Sequence, residues 1–156
     1  MRIRLISVGR RMPRWVEEGY REYARRLPPE CALELVEIPP GRRQKGTDAT
    51  RAVAEEGARM LAAVPPRARV VALDVGGETW DTPALAERLQ AWMAQGRPPC
   101  LLVGGPDGLA PACLERAEVR WSLSPLTFPH PLVRVILAEQ LYRAWSLLAG
   151  HPYHRV

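Results

Sequence analysis

The apolar positions of the chain fall alternately into short strand-like runs and helical faces. IRLISV (residues 3–8) reads as a strand, and in the WVEEGYREYARRL that follows, Val16, Gly19, Tyr20, Tyr23 and Leu27 recur at helical spacing. LELVEI (33–38) is a second strand. Asp48 is placed to cap the next helix, whose inner face would carry Val53, Gly57, Met60, Leu61 and Val64. VVALDV (70–75) is the third strand. Thr82 and Pro83 then supply a cap and a first-turn proline for a helix burying Leu85, Leu89, Trp92 and Met93, which Gly96 stops. LLV (101–103), a short helix over 111–118, a fifth strand VRWSLSP (119–125) and a long helix over about 132–148 complete five strand–helix units.

Runs such as VVAL and LLV are continuously apolar rather than alternating, as strands buried on both faces are. The predicted fold class is therefore α/β, a parallel sheet covered by helices on both faces. Without repeats, low-complexity segments or a linker, residues 1–156 are expected to form a single domain, long enough to bury a core without disulfides or metal.

Composition narrows the class further. The chain is 47% apolar and 25% charged, and no apolar run approaches the roughly 18 residues of a membrane span. Charge interrupts the one apolar stretch of MRIRLISVGRRMP, so it reads as a strand rather than a signal peptide, and the expected location is the cytoplasm. Cys31, Cys100 and Cys113 are widely spaced and form no C-x-x-C, so neither a disulfide framework nor a metal site is expected.

Charge is uneven. Residues 1–69 hold 15 basic and 9 acidic groups, while residues 70–156 hold 7 basic and 8 acidic. The excess gathers after predicted strands, in GRRMPR (Arg10, Arg11, Arg14) and GRRQK (Arg42, Arg43, Lys45). Such clusters suit phosphate contacts or solvated loops equally, and nothing in them selects RNA over DNA.

Ligands of parallel α/β sheets sit beyond the carboxyl ends of the strands. Three ends are unusual here: LDVGGETWD, LVGGPDG and SLSPLTFPHP. Paired glycines admit close backbone approach to a ligand, or simply make tight turns. The first strand ends VGRRMP, with neither G-x-G-x-x-G nor a P-loop, and there is no G-x-S-x-G elbow. Dinucleotide oxidoreductases, P-loop NTPases and α/β-hydrolases are disfavoured, and the candidate site lies in the C-terminal half.

LLVGGPDGL, WSLSPLTFPHPLVRVILAEQLYRAW and the ending HPYHR, together with ISVGRRMPRWVEEGYREYARRL, ELVEIPPG and LDVGGETWDTPALA, resemble the SPOUT RNA methyltransferases, and within them the ribosomal RNA large subunit methyltransferase H family. The resemblance covers essentially the whole chain. It implies a C-terminal trefoil knot and S-adenosylmethionine bound in it largely by backbone groups, at positions matching Leu73, Gly104 and Leu123, Ser124, Pro125, Leu126, Thr127 and Phe128. It further implies a homodimer that methylates N3 of a pseudouridine in the helix 69 loop of large-subunit ribosomal RNA, within assembled ribosomes and without a metal.

That reaction needs the N3 proton removed, so a base or a group stabilising the deprotonated ring is sought. His130 is one candidate, the alternative being a helix-start histidine satisfied by backbone. Tyr153, His154 and Arg155 in the tail HPYHRV are others, the alternative being a frayed end. Arg134, Glu139 and Arg143 are expected on the polar side of the last helix, solvated, in dimer salt bridges or on RNA. Arg10, Arg11, Arg42, Arg43 and Lys45 are the expected RNA contacts, with Arg42 and Arg43 bearing on ribosome affinity and not on cofactor affinity. Two other readings stay open: a related methyltransferase acting on tRNA or another base, and a non-enzymatic flavodoxin-like module that binds a nucleotide or a partner.

Overall fold

A computed structural model describes residues 1–154, which leaves Arg155 outside the described residues. The strands β1 (Arg2–Val8), β2 (Ala32–Ile38), β3 (Arg69–Thr79), β4 (Pro99–Val103) and β5 (Val119–Ser122) form one sheet in the order β2-β1-β4-β3-β5, with every pairing parallel. The helices are α1 (Arg14–Ala24), α2 (Thr50–Ala62), α3 (Thr82–Gln95), α4 (Pro111–Arg116) and α5 (His130–Ala149), with 3-10 turns at Pro29–Cys31 and Pro152–His154.

The strand period of two sorts the apolar runs onto two faces. Ile3, Leu5, Val71, Leu101 and Val103 meet α1, α3 and α5, while Ile6, Val8, Val70, Cys100 and Leu102 meet the face that carries Met60 of α2 and Cys113 of α4. Both layers of the expected sandwich are present. The predicted inner faces hold: Val16 and Tyr20 of α1, Gly57 and Met60 of α2, and Leu85, Leu89 and Trp92 of α3 are buried. The three cysteines are buried and unpaired, and burial pushes the Cys31 thiol up to about 11. No helix among the described residues is long and apolar enough to cross a membrane.

Element ends moved where local chemistry decided them. Asp81, not Thr82, caps α3: its Oδ1 accepts from the Ala84 N–H at 2.8 Å, and the Thr82 hydroxyl is left to donate to Gln140 of α5 at 2.9 Å. Asp48 accepts from the Thr50 N–H at 3.1 Å but stands one residue ahead of the α2 cap position, Ala49. Strand β3 continues to Thr79, because it loses register with β5 after Leu73 and rejoins it at Glu78. Gly77 makes this possible, since a Cβ there would lie 2.5 Å from the Arg120 carbonyl oxygen. One glycine of LDVGGETWD thus serves strand pairing rather than ligand approach.

Helix α5 crosses the sheet between α1 and α3, and a buried charge fixes its start. Arg134 is 1% exposed, which corrects the expectation of a solvated polar face. Its Nη1 donates to Glu37 of β2 at 2.7 Å, its Nη2 to the Gly9 carbonyl at 2.8 Å and its Nε to the Ser7 hydroxyl at 3.2 Å. Helical spacing explains the placement, because position 134 shares a face with the buried Val133, Leu137, Ala138 and Leu141. Arg134→Met leaves Glu37 and two backbone carbonyls without their donor and is expected to lower unfolding free energy by about 3 kcal/mol. Chemical denaturation against the exposed-site variant Arg10→Ala, expected within about 0.5 kcal/mol of wild type, measures this.

Candidate active site

A cleft of about 750 Å³ opens at the register break of β3 and at the carboxyl ends of β4 and β5. Of the residues predicted to hold a cofactor, Leu73, Gly104, Leu123, Ser124, Leu126, Thr127 and Phe128 line it, and Pro125 does not. His130, at the first turn of α5, lines it as well.

Each wall is held by local bonds. In VGGPDG the Gly108 N–H donates to the Gly105 carbonyl at 3.0 Å, and Gly104 packs so closely on this turn that a Cβ would lie 2.5 Å from the Gly108 carbonyl carbon. The opposite wall is shaped by serines: the Ser122 hydroxyl donates to the Ser124 carbonyl at 3.0 Å, and the Leu126 N–H donates to Ser124 Oγ at 3.0 Å. Strand β5 ends at Ser122, earlier than expected, because these turn bonds take over from strand pairing. Between the walls Trp121 stacks on Trp80 at 4.7 Å, and its buried indole N–H has no partner among the described residues. Leu126 is 69% exposed at the mouth, an apolar side chain without a cover.

His130 sits against the loop after β1. Its Nε2 lies 3.5 Å from where a Cβ on Gly9 would be, and Gly9 adopts φ +114, a conformation that disfavours any side chain. Burial lowers the His130 pKa below the ordinary imidazole value, the Arg134 charge lowers it further, and Glu56 opposes them. At neutral pH the ring is therefore uncharged and able to accept a proton.

The tail lies elsewhere. Tyr153 donates to Glu139 Oε2 at 3.0 Å and packs on Tyr142 at 4.6 Å between ring centres, and the His154 carbonyl accepts from Arg143 Nη1 at 3.0 Å. Burial and the bond to Glu139 push the Tyr153 pKa up to about 12. Helical rise places Glu139 about 14 Å along α5 from His130, so the described part of the tail does not meet the cleft of its own chain. Glu139 and Arg143 pair at 3.1 Å, half-buried beneath it.

Among the basic residues, Arg10, Arg11, Arg42 and Lys45 are exposed. Arg43 is exposed as well, but its guanidinium is tied to carboxylates, 2.9 Å from Glu56 and 2.9 Å from Asp107. Glu56 is 2% exposed, and neither it nor the buried Arg134 stood out as a site residue in the sequence. A signal existed for both: each is a charged residue at an inward position of an amphipathic pattern.

A family model described as Predicted SPOUT methyltransferase matches residues 1–154. The chain is 71% identical to the Ribosomal RNA large subunit methyltransferase H of Alkalilimnicola ehrlichii, over 99% of both chains. It is 63% identical to the protein of the same name from Methylococcus capsulatus, over 99% of this chain and all of that one. Among solved structures, a probable methylase family protein from Haemophilus influenzae Rd KW20 aligns with a TM-score of 0.51 at 13% identity, over 95% of this chain and 66% of that chain, a likeness of fold alone. Whole-chain identity at this level and the family match together make the chain a member of the SPOUT methyltransferases, within the ribosomal RNA large subunit methyltransferase H family.

Proposed function

We propose that the protein is a cytoplasmic, homodimeric S-adenosylmethionine-dependent methyltransferase that acts on N3 of a pseudouridine in the helix 69 loop of large-subunit ribosomal RNA, in assembled ribosomes. The observation that carries the reading is the cleft, whose lining coincides with the positions that family resemblance assigns to the cofactor. Relatives named as large-subunit ribosomal RNA methyltransferases, at 71% and 63% identity, support the substrate class. The knotted threading implied by the resemblance belongs to the same proposal: the loop residues 104–109 other than Asp107 and 123–130 other than Pro125 line one cleft, as a chain passed through a neighbouring loop would.

The residues present fit the cofactor. Apolar walls at Leu73, Val103, Leu123 and Phe128 suit a flat ring system, and the unpartnered Trp121 N–H and the loop backbones supply polar contacts. When bound, S-adenosylmethionine supplies an electrophilic methyl group on a positively charged sulfur. The protein's part is to orient the two reactants and to take up the N3 proton. His130 is the base favoured within one chain, since it lines the cleft as a neutral imidazole. Tyr153 and His154 act, on this reading, in the cleft of a second copy. Tyr153, with its raised pKa, serves there as a donor rather than a base. Arg10, Arg11, Arg42 and Lys45 contribute salt-dependent affinity for phosphates.

Calorimetry should detect S-adenosylmethionine binding to the free protein, and the protein should methylate ribosomes from a strain lacking this gene, with the modified base mapped by mass spectrometry. Methylation of tRNA but not of ribosomes would favour the related-enzyme reading, and no cofactor binding would favour the non-enzymatic module.

His130→Ala should reduce kcat about 100-fold. A base with a lowered pKa stays active until the pH falls through that value, so the acidic limb of the wild-type rate should lie below pH 6.5 and vanish in the variant. An unchanged limb removes His130 from the role.

Co-expressed, a His130→Ala chain and a Tyr153→Phe/His154→Ala chain should regain activity in mixed dimers if the tail serves the partner's cleft. Mixed dimers no more active than either parent would count against that arrangement.

A further inference from the structure

We propose that Arg43 is a positioning residue for the cofactor loop rather than an RNA contact, and that through it the basic loop after β2 and the VGGPDG loop behave as one unit. The inference rests on the reading of the cleft as a cofactor site.

Four observations meet at this residue. Arg43 Nη1 donates to Glu56 Oε2 at 2.9 Å, while Nε and Nη2 lie 3.0 and 2.9 Å from Asp107 Oδ2. Glu56 is buried on α2, and the same oxygen accepts the Gly41 N–H at 2.8 Å, so the start of the basic loop and its arginine share one anchor. Gly41 is held tightly, because a Cβ there would lie 2.1 Å from the Ala52 carbonyl oxygen. Asp107, finally, belongs to the loop whose Gly104, Gly105, Pro106 and Gly108 line the cleft.

The guanidinium therefore bridges a buried carboxylate and the tip of the loop, using the fork geometry that a lysine cannot reproduce. Without it, the Gly105–Gly108 turn keeps one internal backbone bond, and the tip loses its tie to α2. Arg42 and Lys45 remain exposed on the same short loop, free for phosphates. Anything that pulls this loop toward RNA acts on Asp107 through Arg43, and by linkage cofactor binding acts back on the basic loop.

The test compares Arg43→Ala, Arg43→Lys, Asp107→Asn, Arg43→Ala/Asp107→Asn and Arg42→Ala, each checked for folding by thermal melt. By calorimetry, Arg43→Ala and Asp107→Asn should each weaken S-adenosylmethionine binding about tenfold, with the double variant no worse than about twofold beyond the weaker single one. Arg43→Lys should recover part of the loss, and Arg42→Ala should stay within about twofold of wild type while weakening ribosome binding. Kinetically, KM for the cofactor should rise in Arg43→Ala with kcat at saturation retained, which a general loss of structure would not produce. Without cofactor, hydrogen exchange at residues 104–108 should quicken in Arg43→Ala and Asp107→Asn. This last measurement tests the clasp even if wild type fails to bind the cofactor, an outcome that would strike the functional reading instead. Unchanged cofactor affinity and exchange in Arg43→Ala, or effects of the two single variants that simply multiply in the double, overturn the proposal. Should Arg43→Ala not fold, Asp107→Asn, altered at an exposed loop tip, decides by the same two readouts.

Discussion

One buried guanidinium joins parts of the chain that are far apart in sequence. Arg134 reaches the end of β1 through Ser7 and Gly9 and reaches β2 through Glu37. A charge this deep is tolerated only because every arm has an acceptor, and those acceptors come from two separate segments, the end of β1 and β2. The contact therefore sets the height at which α5 starts over the sheet. His130, one turn earlier, inherits its position beside Gly9 from that placement. The geometry of the cleft is thus decided partly by a side chain that does not line it.

Electrostatics then divides the start of α5 from its middle. At its start the Arg134 charge and burial favour a neutral imidazole. At its middle Glu139 gathers Arg143 and Tyr153, so the tail is bound to the helix by polar contacts as well as ring packing. One helix thus carries an uncharged imidazole at its start and, from its middle onward, a set of hydrogen-bond donors.

The layered fold was legible in the sequence because unbroken apolar runs and helical spacing are direct consequences of burial. Leu85, Leu89 and Trp92 were read correctly on that ground alone. Helix caps were legible only to within a residue, since Asp81 and Thr82 are both capable and the choice was made by Gln140, a tertiary partner. Buried charge was the larger blind spot. Arg134 and Glu56 obey the inward period of their helices, but a charged residue is ordinarily assigned to solvent, and the acceptors and donors that make their burial tolerable lie in other segments. The cleft lining, by contrast, came from whole-chain resemblance, because nothing in the periodicity says that LTF and VGG share one cavity. Arg43 shows the limit of reading charge clusters: Arg42, Arg43 and Lys45 look alike in sequence, yet among the described residues the ion pairs to carboxylates are made by Arg43.

The strand order has a consequence for how the chain is made. β1 lies inside the sheet and pairs with β4, while the face that holds Ile3, Leu5 and Leu101 is completed by α5. A nascent polypeptide therefore carries an uncovered apolar sheet face until α5 has been made. Its contacts are dominated by partners distant in sequence, which makes ordering slow. The face of β1 is thus completed by a helix that lies more than 120 residues further along the chain.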